Sequence, residues 1–193
     1  GEEGAFAAFP PAGIEVEDLA SLVLEMALWG STDLPFLTPP PSGQLSAATA
    51  LLQSRGALNA SGGITAHGRA LAKQPLHPRL AHMLVTAGAQ AAPLAAILAA
   101  RDPLRGAPVD LSLRAKALRP RYDGAGQVNH AALAQIKTEA ARLAKGLSAK
   151  PPLSLAVQAA LAYPDRIGLR RKGDAPRYIL SGGKGAVLPD DDP

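Results

Sequence analysis

Residues 56–84 read GALNASGGITAHGRALAKQPLHPRLAHML, and the backbone preference changes three times within this segment. Residues 59–63, NASGG, tolerate positive φ or hydrogen-bond their own backbone, which predicts a tight reversal between Leu58 and Ile64. Thr65 follows at the position where an N-cap would accept the free amides of the next helix. The segment therefore predicts a helix end, a small β turn and a second helix in close succession.

Two prolines then separate that second helix from a third. Pro75 and Pro78 lack an amide proton and push the preceding residue out of the α region, so they predict a break at residues 76–77. A new helix is expected to begin near Arg79. A helix, a β wing and a following helix indicate a winged-helix unit that passes into a helical domain.

The composition limits the class of protein. The 193 residues are 47% hydrophobic but only 4% aromatic, so the core must be built from aliphatic side chains, which favours closely packed helices. The absence of cysteine excludes disulfides, thiolate catalysis and cysteine metal sites. No apolar run of about 20 residues and no signal-peptide pattern is present. We therefore expect a cytoplasmic protein with no membrane partner.

The net charge of +4 hides an asymmetry between the two halves of the chain. Residues 1–75 carry three basic and seven acidic side chains, a net charge of −4, whereas residues 76–193 carry 17 basic and nine acidic ones, a net charge of +8. The second half is a candidate surface for a polyanion. The alternative is a set of ordinary solvated helix faces.

Apolar spacing predicts helices over most of the chain. The first runs from Leu19 to Trp29, with an N-cap at Asp18, a stop at Gly30 and a buried stripe that includes Trp29. Further helices are predicted over 42–55, 66–73, 79–87, 93–100, 110–118, 129–147 and 151–162, with N-caps at Ser42, Asp110 and Asn129. From residue 165 onward, alternating residues predict three short strands with turns at 172–174 and 181–185. The predicted fold class is mainly α: a winged-helix unit, a helical bundle and a short C-terminal β meander.

Motifs for catalysis do not reach the required spacing. In residues 181–185, SGGKG, the lysine is followed by glycine and the flanks are strand-like, so a phosphate loop is not predicted. There is no acidic Asp-Glu-x-His box, no Gly-x-Ser-x-Gly elbow, and no histidine pair with zinc-site spacing. We expect no catalytic residue, no metal site and no cofactor within this chain.

Clusters of basic side chains are the stronger candidates for function. One cluster lies beside Tyr163 and Tyr178 and comprises Arg166, Arg170, Arg171, Lys172 and Arg177. Charges for phosphates and rings for stacking therefore fall on the same predicted meander. A second, dispersed cluster comprises Arg101, Arg105, Arg114, Lys116, Arg119 and Arg121. The residues predicted to bind nucleic acid are Arg166, Arg170, Arg171, Arg177, Lys184, Arg119 and Arg121. The alternative for the meander is a solvated hairpin with two structural tyrosines.

Several motifs resemble the C-terminal region of DEAH-box RNA helicases, and within them the bacterial HrpB-type ATP-dependent helicases. The resemblance rests on LTPPP at 37–41, GAL at 56–58 with ITAHGRALA at 64–72, and LHPRLAHML at 76–84. AYPDRI at 162–167 and RYILSGGKGAVL at 177–188 resemble the HrpB branch in particular. The match is strong over residues 14–88 and 161–188 and is mainly a helical pattern between them.

The resemblance implies a domain plan. Residues 1–13 would be a linker, 14–75 a winged-helix domain, 76–164 a helical ratchet-like domain, and 165–193 the start of a truncated C-terminal β domain. In that family two RecA-like motor domains bind and hydrolyse ATP with magnesium, and the accessory domains close over single-stranded RNA. The chain would then be a fragment whose partners are single-stranded RNA and the motor domains of the same parent chain.

Four residues of the 56–84 segment are predicted to fix how two domains pack rather than to touch RNA: His67, Arg69, His77 and Arg79. Two alternatives to the helicase interpretation stay open. A free-standing winged-helix nucleic-acid binder should carry a basic recognition helix, yet residues 44–55 contain one basic residue, Arg55. A helical protein-interaction module would bind no nucleic acid even at low salt.

Overall fold

A computed structural model describes residues 13–31, 34–173 and 176–188, and the fold in these ranges is mainly helical with small antiparallel sheets. The predicted fold class is confirmed in this respect. The chain divides into two compact units between Pro78 and Arg79. The assignment of the units as winged-helix and ratchet-like domains stays a prediction, and the linker predicted over 1–13 lies, except for Gly13, outside the described residues.

Four helices lie within residues 13–31 and 34–78, the described part of the first unit. They are α1 (Gly13–Val16), α2 (Ala20–Trp29), α3 (Ser42–Ser54) and α4 (Ala66–Ala72). Helices α2 and α3 pack together around Leu19, Ala20 and Ala48, with half-buried aliphatic side chains closing over them. This aliphatic core agrees with the low aromatic content of the chain.

The turn predicted between α3 and α4 is confirmed by an antiparallel bridge between Leu58 and Ile64. Asn59 closes the reversal, because its side-chain Oδ1 accepts hydrogen bonds from the amides of Ser61 at 3.1 Å and Gly63 at 2.8 Å. Thr65 caps α4, as predicted, by accepting a hydrogen bond from the Gly68 amide at 3.0 Å. The β wing in this structure is a single bridged pair of residues.

The core of the second unit contains the long, largely buried helical stretch Pro78–Ala99. The helices of this unit are α5 (Pro78–Ala87), α6 (Ala92–Ala99), α7 (Leu111–Ala117), α8 (His130–Ala144) and α9 (Leu155–Ala162), with 3₁₀ turns at Gly88–Ala91 and Pro164–Arg166. Helix α8 packs on α6, and its Leu133, Ile136 and Leu143 are buried, as their spacing predicted. By length and composition the stretch Pro78–Ala99 could cross a membrane, but 67% of its most apolar window is buried inside the protein, as in a core helix.

The described part of the second unit, residues 79–173 and 176–188, also contains two small sheets. Strand β1 (Leu104–Arg105) pairs antiparallel with β2 (Gln127–Val128), so that Leu104 faces Val128 and Arg105 faces Gln127. Strands β3 (Gly168–Arg170), β4 (Arg177–Leu180) and β5 (Gly185–Val187) form the predicted meander in the order β3-β4-β5. The turn predicted at 172–174 lies partly outside the described residues, and the turn at 181–185 joins β4 to β5.

Several local predictions are wrong. Trp29 is 81% exposed rather than buried, because it lies on the side of α2 that carries the exposed Ser21 and Glu25, whereas Leu24 and Met26 are buried. The N-cap positions of α2 and α3 are Leu19 and Pro41, one residue from those predicted, although the Asp18 Oδ1 still accepts a hydrogen bond from the Ala20 amide at 2.9 Å. The last helix is capped by Ser154 rather than begun by the proline pair at 151–152. The β1–β2 ribbon and helix α1 were not predicted.

Candidate nucleic-acid interface

The meander presents one largely exposed face, which we call the open face and which consists of Leu169, Arg171, Arg177, Ile179 and Val187. Leu169 pairs with Ile179 and Arg177 with Val187, while the Arg171 amide donates to the Arg177 carbonyl at 2.8 Å. Directly paired residues project to the same side of a sheet. Leu169 is 73% and Val187 68% exposed, so two arginines stand among uncovered aliphatic side chains.

The predicted binding residues of the meander do not form one patch. Arg170 is paired with Tyr178 and therefore projects to the side opposite the open face. On that opposite side Tyr178 and Leu180 are half-buried, whereas Arg170 is exposed. Lys184 is exposed in the loop before β5. A single-stranded nucleic acid that contacts the open face would therefore meet Arg171 and Arg177 first.

Tyr163 is the centre of a charged cluster next to the meander. The Arg166 guanidinium lies over its ring at 4.6 Å from the centroid, and the Arg79 guanidinium lies at 5.5 Å. Arg79 is also held by Asp165 through two hydrogen bonds of 2.5 and 3.3 Å. The Tyr163 ring is thus engaged by two cations of its own unit, and Arg166 reaches solvent from this stack.

The glycine-rich loop between β4 and β5 has a structural role. Its Ser181 amide donates to the Ile167 carbonyl at 2.8 Å and its Gly182 amide donates to the Asp165 carbonyl at 3.0 Å. The Ser181 hydroxyl donates to the Pro164 carbonyl. The loop therefore fastens the meander to the segment that follows α9, and its flanking strands agree with the rejection of a phosphate loop.

The second basic cluster divides into exposed and buried members. Arg119 and Arg121 are exposed in the segment between α7 and β2. Arg114 is only 8% exposed and holds its own unit together: its Nε and Nη2 donate to the Asp102 carboxylate at 3.2 and 2.6 Å, and its Nη1 donates to the carbonyls of Pro108 and Asp110. Arg114 is therefore a structural residue and is not available to nucleic acid.

Asp102 and Arg114 are coupled electrostatically. Burial raises the pKa of the Asp102 carboxyl, but hydrogen bonds from Arg114 and from the Leu104 amide, together with the charge of Arg114, outweigh burial and bring this pKa below its usual 3.8. Asp102 is therefore ionised at neutral pH and its charge is neutralised by a buried partner. Among the residues that the structure describes, no three His, Cys, Asp or Glu side chains are grouped as a metal site requires.

The four residues predicted to fix domain packing are placed as follows. His67 and Arg69 lie on α4, and partial burial lowers the pKa of His67. His77 lies 3.3 Å from the Asp18 carboxylate within the first unit, and Arg79 binds Asp165 within the second. Their role in packing the two domains stays a prediction.

The sequence did not predict Arg101 and Arg105 as nucleic-acid-binding residues. It places both only in the dispersed cluster, but the β1–β2 ribbon brings them to one concave surface. The only local signal for this ribbon was the glycines at 106 and 126, which flank it at positive φ.

The chain is homologous to DEAH-box RNA helicases and matches the C-terminal region of HrpB in structure, as the sequence motifs predicted. No family model matches the chain.

The individual relatives are as follows. ATP-dependent RNA helicase HrpB of Escherichia coli is 35% identical over 179 residues, which is 89% of this chain and 20% of HrpB. The probable ATP-dependent RNA helicase DHX34 of Homo sapiens is 37% identical over 84 residues, which is 42% of this chain and 7% of DHX34.

Two solved structures of E. coli HrpB, described as a DExH-box NTPase and as a DEAH/RHA helicase, match 99% of this chain. Their TM-scores are 0.76 and 0.75, at 32% and 30% identity, and the chain covers 23% and 24% of them. The chain thus spans about a fifth of the length of HrpB.

Proposed function

We propose that this chain is an accessory part of an HrpB-like ATP-dependent RNA helicase, in which it binds single-stranded RNA and couples motor movement to unwinding. In this proposal ATP and magnesium act at RecA-like motor domains of the parent chain, and the parent acts in the cytoplasm. The winged-helix and ratchet-like assignments belong to the same proposal. Homology to a named RNA helicase supports the class, and the basic meander supports the binding role.

The observation that carries the binding role is the open face. Arg171 and Arg177 are held together by a backbone hydrogen bond of 2.8 Å, and both side chains are exposed. Neither has a side-chain partner in the part of the chain that the structure describes. Two unneutralised guanidinium groups on adjacent strands suit the phosphates of one flexible strand.

Fluorescence anisotropy with a labelled oligouridine tests this role. Removing one cationic partner of a phosphate in a single strand flattens the dependence of log affinity on log salt by about 0.7. The double variant Arg171→Ala/Arg177→Ala should therefore flatten this slope by about 1.4. If the two affinities are equal at about 1 M salt, this change makes the variant bind about 25-fold more weakly at about 0.1 M salt.

The matched control is Lys137→Ala/Lys145→Ala, which removes the same charge from exposed positions at α8. The control should bind nearly as well as the unaltered chain. Equal affinities for the two double variants would show that binding depends on net charge alone and would remove the open face from the proposal. Robust ATP hydrolysis by this chain alone would contradict its accessory role.

A second candidate, a protein-docking module, is favoured by one observation. The exposed aliphatic side chains of the open face resemble the apolar centre of a protein interface more than a phosphate surface. Oligouridine binding that is absent even at low salt would favour this candidate over the first.

A further inference from the structure

The second unit contains an open pocket beside the β1–β2 ribbon with a volume of about 420 Å³. Arg101, Arg105, Gln127 and Asn129 supply polar groups to its wall, and Leu104 and Val128 supply apolar ones. The volume lies within the range of about 300–1,000 Å³ that small-molecule sites occupy. The pocket is distinct from the open face of the meander.

The charge inside this pocket is positive. Its one acidic residue, Asp102, is held by the buried Arg114 through hydrogen bonds of 2.6 and 3.2 Å, so its charge is already neutralised. Arg101 and Arg105 are both exposed, and neither has a side-chain hydrogen bond or ion pair within the described ranges. Two guanidinium groups are therefore available to an anionic ligand.

The wall of the pocket is fixed by local geometry. The Asn129 amide donates to the Pro103 carbonyl at 2.8 Å, and the Leu104 amide donates to the Asp102 carboxylate at 2.9 Å. Gly126 has φ +89°, and a Cβ atom there would lie 2.6 Å from the Ala107 Cβ and 3.1 Å from the Arg105 carbonyl oxygen. Only glycine allows the residue before β2 to approach the residues at the end of β1 so closely.

The apolar part of the wall is also anchored. Leu104 is 4% exposed and packs with Ala117 and Leu133 in a core cluster, to which Val128 adds a half-buried side chain. Leu104 thus anchors this part of the wall in the core, and the half-buried Val128 supplies apolar surface to a pocket that is also lined by arginines and a side-chain amide. A planar base and its phosphate present the complementary pair of surfaces.

We propose that this pocket binds one nucleotide unit of a single strand, with the phosphate held by Arg101 and Arg105 and the base against the half-buried Val128. This proposal rests on the proposed function only in taking the ligand to be part of an RNA strand. The shape and charge of the pocket do not depend on that function. The side chain of Gln127, which is exposed, lines the pocket and is paired in register with Arg105, would contact the nucleotide next to its phosphate.

The direct test uses nuclear magnetic resonance of the chain with AMP and with adenosine. Millimolar AMP should shift the signals of residues 101–105 and 127–129, whereas adenosine, which lacks the phosphate, should shift them much less. Unchanged signals with AMP would overturn the proposal. Equal shifts with AMP and adenosine would overturn the assignment of the arginines to the phosphate.

Variants link the pocket to strand binding. Arg101→Ala/Arg105→Ala should abolish the AMP shifts and weaken oligouridine binding about 25-fold at about 0.1 M salt, since two guanidinium partners of the phosphates are removed. Arg101→Lys/Arg105→Lys keeps the charge but lacks the planar fork, so it should keep the salt slope and still bind more weakly than the unaltered chain. Lys137→Ala/Lys145→Ala is the charge control.

The outcomes separate the two proposals. If the unaltered chain binds no oligouridine but AMP shifts the pocket signals, the proposed strand-binding function fails and the pocket remains. If the chain binds oligouridine and Arg101→Ala/Arg105→Ala binds it equally well, the pocket proposal fails and the strand-binding function remains.

Discussion

Gly68 lies where helix α4 approaches the residues before the β turn most closely. A Cβ atom at this buried position would lie 2.2 Å from the Ala57 carbonyl oxygen and 2.8 Å from the Ile64 Cγ1. Carbon–oxygen contacts rarely fall below about 3.3 Å, so α4 would have to move by about 1 Å. That movement would stretch the 3.0 Å hydrogen bond from the Thr65 amide to the Ala57 carbonyl.

The expected cost of Gly68→Ala follows from these contacts. Overpacking costs about 1–3 kcal/mol and a weakened hydrogen bond about 1 kcal/mol, while alanine recovers up to about 1 kcal/mol of helix propensity. We therefore expect the free energy of unfolding of the first unit to fall by about 2 kcal/mol. Urea denaturation followed by far-UV circular dichroism measures this change.

Gly43→Ala provides the matched control in helix α3. A Cβ atom at Gly43 would have no neighbouring atom within 4 Å, so this substitution should be neutral or stabilise by up to about 1 kcal/mol. If Gly68→Ala is as stable as Gly43→Ala, α4 does not pack on the turn as described, and the close approach is refuted.

Three further substitutions test the second unit. Asp102→Asn should lower the free energy of unfolding by about 1–2 kcal/mol, because Arg114 stays buried without its carboxylate. Since folding lowers the pKa of Asp102, this contribution is present above pH 3.8 and is lost as the pH falls below it. Acid titration of the unaltered chain should therefore show a stability loss that Asp102→Asn lacks. Ile136→Ala, at a side chain that is 1% exposed, should cost about 2–5 kcal/mol in the same denaturation assay. Gly126→Ala should cost about 1–3 kcal/mol, because of its positive φ and its contact with Ala107, and should weaken AMP binding as measured by nuclear magnetic resonance. Retained stability in any of the three variants would contradict the corresponding contacts.

Local chemistry was readable from the sequence wherever a few adjacent residues determine the structure. Thr65, Asp110 and Asn129 were predicted as N-caps and each accepts an amide hydrogen bond from its own helix. Gly30 was predicted to end α2 and has φ +84° at its C-cap. The alternation after residue 165 was sufficient to predict the meander.

Features that depend on distant partners were not readable in the same way. The spacing of Leu19, Leu22, Met26 and Trp29 suggested one apolar side of α2, but Trp29 also follows Ser21 and Glu25 at four-residue steps, and only the packing of the helix decides that it stays with these exposed residues. Strands β1 and β2 contain two residues each and pair across more than 20 residues, which leaves no alternation to detect. Arg114 looked like its exposed neighbours, because only the fold brings it to Asp102.

The same limit applies to the candidate interface. The sequence predicted a basic meander but could not assign its arginines to faces, since the register of β3 with β4 separates Arg170 from Arg171 and Arg177. It also could not show that Tyr163 is stacked against Arg166.

Photocrosslinking of the chain to an oligonucleotide that contains 4-thiouridine, followed by mass spectrometry of the linked peptides, tests the central claim most directly. The claim is that single-stranded RNA is bound by the basic second unit, through the open face of the meander and the pocket beside the β1–β2 ribbon. We expect crosslinks within residues 101–129 and 163–188 that disappear as salt is raised. Crosslinks confined to residues 13–78 would contradict the claim.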